Sequence, residues 1–314
     1  MWRWIFRALL ANLLLFASEI LLWTNPPGRT LQDWALLIPG YLALAALLLD
    51  FAERYRIRDV YGLLALAGVY GLLNGLILNP QTALADVPLT WATRVMGAHT
   101  LVGFGMLVLL LSLNTKHRGR VWIAAALVGL LWGVWVRWLP TFTDIAADLV
   151  PLSTFLIAAV IALLPVIVLA WLVKGRAAQP DSLKLRLIEW LIVLAVLIGL
   201  YILRLPVIDQ LSLIVLGVLA GFCWLLLWFE KRESGAMLLD SALPLPSSTP
   251  LILLISSVIA LAAGAIGYHL EFAETGPLDA MISLFAAFGL VWLPTLSLVI
   301  GVRSYRKMGR TQKL

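Results

Sequence analysis

Glu19, Arg94, His99, Arg137, Arg204 and His269 each lie within, or at the end of, an apolar run long enough to cross a bilayer. An ionisable group at that depth is costly unless it is paired, wetted or able to reach the interface with its charged end. The three arginines are the sharpest of these. A guanidinium is a planar fork that binds a carboxylate or phosphate at two points, so intramembrane arginines suit the capture of an anion. Asn74 lies near the same end of its run. The expectation is a pocket lined by Glu19, Asn74, Arg94, Arg137 and Arg204. In it the arginines clamp an anionic or amphiphilic ligand and Glu19 orients one of them. A plainer account competes with this one. Glu19 would neutralise one arginine, while Arg137, flanked by Trp135 and Trp138, and Arg204, two residues before Pro206, extend to the headgroups.

Asn12 and Glu19 are seven residues apart, two helical turns, and so form a polar stripe on one helix face that Trp23 continues. Such a stripe should face protein rather than lipid. His99 and His269 would be the axial ligands of a membrane haem if they met. His99, however, lies about 12 Å into its helix at 1.5 Å per residue, whereas His269 ends another. A core histidine bonded to a neighbouring helix is the simpler account, so no metal and no cofactor is expected. Cys223 stands alone in an apolar run, without a disulfide framework. The chain lacks a phosphate-binding G-x-x-x-x-G-K-[ST] loop, a G-x-S-x-G elbow, an H-E-x-x-H pair and paired mid-membrane carboxylates. It is therefore not expected to be an enzyme. Ion-driven carriers place an acid or an unwound helix at the midplane. Here only Asn12 lies at that depth, and no broken helix is expected there.

The elements that must position these residues are membrane helices. The 314 residues are 62% hydrophobic and 13% charged, with a mean hydropathy of +0.98, far outside the range of soluble domains. Ten segments can span: 4–23, 34–52, 60–78, 91–113, 121–139, 154–173, 185–205, 211–229, 250–269 and 281–302. Arg3 and Arg7 followed by apolar residues imitate a signal peptide, but the run is long enough to span and no small-residue cleavage pattern follows. Nineteen of the 23 Lys and Arg residues fall in alternate connections and the two termini. The opposite loops carry Asp33, Asp86, Asp144, Asp148, Asp209, Glu271, Glu274 and Asp279 against Arg29 alone. Basic loops stay in the cytoplasm, so both termini are expected inside a bacterial-type plasma (inner) membrane. The same bias accounts for a pI of about 9.7 without nucleic acid.

The fold expected is all-α: a polytopic bundle of about ten helices in five consecutive hairpins, forming a single transmembrane domain over 1–314 with no soluble domain. The longest connection, 234–249, reads as a linker. Thr90, Ser153 and Asp279, each two residues after a proline, are expected to cap returning helices, and Arg186 and Glu189 to form a surface pair. Gly71/Gly75, Gly129/Gly133 and Gly217/Gly221 have the spacing that lets helices approach closely, with internal packing expected. Pro39, Pro165 and Pro294 lie within spans.

The leading functional reading is a permease or lipid-handling protein that engages an anionic or amphiphilic ligand near the outer leaflet. Two others stay open. One is a non-catalytic scaffold or assembly subunit of a larger membrane complex, with membrane proteins as partners. The other is a membrane-embedded transferase for lipid-linked substrates, which would use Asp86, Asp144 or Asp148. Membrane lipids are partners in every case.

Overall fold

The computed structural model describes residues 2–23, 29–114, 118–142, 150–176, 183–204, 210–231, 235–272 and 276–311. Asp144, Asp148, Asp209 and Glu274 lie outside them. Among the described residues, ten helices are long and apolar enough to cross a membrane. These are α1 (Trp2–Leu21), α2 (Leu31–Arg54), α3 (Val60–Leu78), α4 (Trp91–Ser112) and α5 (Arg118–Phe142), followed by α6 (Leu152–Val173), α7 (Leu187–Arg204), α8 (Gln210–Glu230), α9 (Thr249–Tyr268) and α10 (Gly276–Thr311). No strand occurs among the described residues. The chain is thus all-α and multi-pass by the length and composition of its helices; nine of the helices lie within three residues of the expected bounds, and α10 begins five residues earlier and ends nine residues later.

Three spans are wound as π-helix at one end: Phe16–Leu21 in α1, Asn74–Leu78 in α3 and Trp91–His99 in α4. In each the turn holds an extra residue. The Leu22 N–H bonds Ala17 O at 3.1 Å and the Asn79 N–H bonds Asn74 O at 2.9 Å, five residues back in both cases. Such widened turns are frequent at functional sites, and these hold Glu19, Asn74, Arg94 and His99.

The helices group into two compact units. The first comprises 1–45, 108–178 and 242–284. Its main packing pairs are α5 with α9, α1 with α6 and α6 with α9. Gly129 and Gly133 of α5 lie against the carbonyls of Ala260 and Gly264 of α9, and Gly267 of α9 lies against the Leu130 backbone. The two backbones meet because no Cβ stands between them. Beside this seam Phe16, Trp23, Trp132 and Phe155 form an aromatic core, with the Trp132 and Phe155 rings 3.8 Å apart.

The second unit comprises 46–107, 179–241 and 285–314. Here α3 packs against α8 and against the π-helical end of α4, and the π-turn of α3 packs against α7. Gly71 and Gly75 meet Thr100 and Val95 of α4, and Gly68 meets the Trp292 ring of α10. At the end of this unit rich in bases, the buried Asp50 accepts two bonds from Arg54, at 2.9 and 3.0 Å, and one from the Leu185 N–H at 2.8 Å. Asp59 caps α3 through Tyr61 N and Gly62 N and pairs with Arg303 at 2.5 Å. Arg58 donates to the carbonyls of Glu230 and Gly235 at 3.0 Å each. Arg54 and Arg303 at this end are thus fastened by acids, and Arg58 by backbone carbonyls.

Local expectations need correction at three places. Thr90 makes no side-chain cap; its hydroxyl donates to Asp86 O at 3.0 Å. Pro151, not Ser153, stands at the N-cap of α6, because its fixed φ suits the helix entry. Glu189 accepts the Arg186 backbone N–H at 2.9 Å, a helix cap as well as a neighbour in charge. Two of the three glycine pairs pack internally, but a Cβ added at Gly217 or Gly221 of α8 would meet nothing within 4 Å. That contrast is testable in the purified chain. Gly133→Val should destabilise by about 1–3 kcal/mol or more through overpacking, whereas Gly217→Val should stay within about 0.5 kcal/mol. Thermal unfolding in detergent reads both, and equal losses would contradict the assignment of the α5–α9 seam.

Candidate functional site

In the first unit the π-turn of α1 holds Glu19 fully buried. Its carboxylate accepts the Tyr41 hydroxyl of α2 at 2.6 Å and the Arg29 guanidinium at 2.5 Å. The expectation that Arg94, Arg137 or Arg204 neutralises Glu19 is therefore corrected. The base that does so is Arg29, which the charge count had placed in a loop. The signal in the sequence was Arg29 itself, the sole base of the outer loops, ten residues after Glu19.

The end of α1 is held from a second side. A helix end leaves carbonyls without intrahelical donors, and indole N–H groups supply two here. Trp132 donates to Ile20 O at 2.7 Å and Trp135 to Leu22 O at 2.9 Å. Three residues apart, these tryptophans share one face of α5. The second unit repeats the device, with Trp292 of α10 donating to Met96 O, inside the π-helix of α4, at 2.9 Å. The sequence reading used Trp135 only as a neighbour of Arg137, and the donor role of all three tryptophans escaped it.

Arg137 of α5 is half-buried between rings, 5.4 Å from the Trp138 centroid and 5.9 Å from that of Tyr268. Tyr268 is itself fixed by its hydroxyl on Val150 O at 2.6 Å. The neighbouring aromatic residues thus engage the guanidinium as cation–π partners.

The remaining residues belong to the second unit. Asn74 opens the π-turn of α3, fully buried. It donates to the Tyr70 hydroxyl at 3.3 Å and accepts from Asn79 Nδ2 at 3.0 Å, so its amide positions the turn. Arg94 lies half-buried on the π-helix of α4. Among the described residues its guanidinium makes no hydrogen bond and no ion pair. Arg204, half-buried, is the last residue of α7 and likewise makes no ion pair among them. Because the π-turn of α3 packs against both the π-helix of α4 and against α7, the second unit brings together the segments bearing Asn74, Arg94 and Arg204. Glu19, Arg137 and the stripe residue Asn12 belong to the first unit.

His99 is buried in the second unit, and His269 follows α9, exposed, in the first. No group of three or more His, Cys, Asp or Glu able to hold a metal occurs among the described residues.

The chain matches no protein-family model, no curated protein and no solved structure. The geometry of its own residues is thus the ground for a functional reading.

The buried pair yields a direct prediction. Arg29→Gln leaves a buried carboxylate without its base and should cost about 3–5 kcal/mol. Adding Glu19→Gln should recover part of that loss. A double-mutant cycle by thermal or denaturant unfolding should therefore be strongly non-additive, and simple additivity would contradict the pairing.

Proposed function

We propose that this chain is a permease or lipid-handling protein of the plasma (inner) membrane that engages an anionic amphiphile near the outer leaflet. Both termini are cytoplasmic, and the spans follow one another as five hairpins; the positive-inside bias supports that orientation. The observation that carries the functional reading is Arg94. It lies within a span, and among the described residues no acid of the protein pairs with it. The one acid at comparable depth, Glu19, is engaged by Arg29 and Tyr41. A guanidinium retained in a span without an internal counter-charge is suited to an anion from outside the protein.

In this reading Arg94 and Arg204 contact the ligand's phosphate or carboxylate, and Asn74 is a positioning residue that shapes the π-turn beside them. Glu19 holds the end of α1. Arg137, seated on Trp138 and Tyr268, belongs to the first unit and is held there by its aromatic neighbours. Asp86, the transferase candidate among the described residues, is exposed.

Phosphatidylglycerol is the probe for the test, with zwitterionic phosphatidylcholine as the control, added to the purified chain in mild detergent. A bound ligand stabilises by about 2.7 kcal/mol at a hundredfold excess over Kd. The unfolding midpoint should therefore rise with phosphatidylglycerol and not with phosphatidylcholine. Arg94→Gln should abolish the difference and Arg94→Lys should keep part of it. If Arg94→Gln and Arg204→Gln both retain the full difference, the anion reading fails. A stable stoichiometric protein partner in the same preparation would favour the scaffold alternative.

A further inference from the structure

The first unit contains a cavity of about 430 Å³ between α1, α2 and α6, within the roughly 300–1,000 Å³ typical of ligand pockets. Asn12 and Pro165, well inside their helices, line one end, termed the floor, and Trp23, Trp34 and Thr154, near the helix ends, line the other, termed the mouth. Helix α6 creates the space: Ala158 and Ala162, four residues apart, put two small side chains on one face. Asn12 closes the floor without needing a polar ligand, because its Nδ2 donates to Ala8 O one turn back at 2.9 Å. Along the wall the cavity opens beside Ile38 and Ile161, which are 56% and 66% exposed. Both lie inside spans, so the medium at that opening is lipid hydrocarbon rather than water.

The length identifies the occupant. From Asn12 to the end of α1 at Leu21 the cavity follows nine residues, at most about 14 Å at 1.5 Å per residue, and Trp23 stands two residues beyond. Half of the ~30 Å hydrocarbon core is about 15 Å, the depth to which one lipid chain reaches in its own leaflet. Indole rings at the mouth are the residues that favour the level of the headgroups. We propose that this cavity is a binding groove for a single acyl chain of a bilayer phospholipid, entered from the leaflet on the Trp23 side. The headgroup stays at Trp23, Trp34 and Thr154 while the chain runs down α6 to Asn12. The groove does not depend on Arg94, and its occupant need not be anionic.

The test uses the full chain in nanodiscs with phosphatidylcholine carrying a photoactivatable diazirine midway along one acyl chain, with labelled residues located by mass spectrometry. Labelling should concentrate on Leu15, Ile161 and Ala162, above that of Ile198 or Val218, which are simply exposed on their helices. Ala158→Trp, which fills the groove, should cut groove labelling about tenfold, a modest loss of binding free energy. Should that variant fold poorly, Ile38→Trp obstructs the opening from an exposed position and should produce the same loss. Arg94→Gln should leave groove labelling unchanged, which separates this proposal from the anion site. Labelling spread evenly over all exposed apolar residues would overturn the groove, as would groove labelling that survives both Ala158→Trp and Ile38→Trp.

Discussion

One buried carboxylate organises the first unit. Glu19 costs too much in hydrocarbon to stand unpaired, and its bonds tie two later segments of the chain to α1. Tyr41 brings α2 to it, and Arg29 brings the segment after α1. The π-turn that carries Glu19 also displaces the final carbonyls of α1, and Trp132 and Trp135 occupy two of them. The same turn carries Ile20 into both the aromatic core and the wall of the cavity. Charge pairing, helix termination and cavity shape therefore meet within six residues of α1.

The second unit solves a different problem with the same parts. Its π-segments in α3 and α4 are stabilised by side-chain amides, a threonine and an indole: Asn79 on Asn74, Thr100 on Val95 O and Trp292 on Met96 O. Arg94 and Arg204 make no ion pair with an acid among the described residues. The acids Asp50 and Asp59 serve the base-rich end of this unit by fastening Arg54 and Arg303. The missing ion pair at Arg94, rather than the number of arginines, is what supports the proposed external anion.

Much of this was legible in the sequence, for definable reasons. Span ends follow from apolar length, which a bilayer enforces, so α3 was expected at 60–78 and was found there. Gly129/Gly133 and Gly71/Gly75 announced close packing because only a missing side chain admits another backbone. What stayed hidden depends on contacts between distant segments. A π-turn differs from an α-turn by one residue and leaves no trace in an apolar pattern. Trp132 and Trp135 look like packing residues until the carbonyls of Ile20 and Leu22 arrive. Arg29 counted as a loop charge because sequence depth alone does not show a side chain reaching back into the span. Gly217 and Gly221 show the converse, since a packing motif requires a partner and theirs is not among the described residues.

The most direct test of the central claim is a high-resolution density map of the full chain in nanodiscs containing phosphatidylglycerol. The account predicts the Glu19 carboxylate on Tyr41 and Arg29, with an anionic headgroup against the Arg94 guanidinium. A map in which Arg94 pairs with an acid of the protein itself, with no headgroup density beside it, would contradict the account.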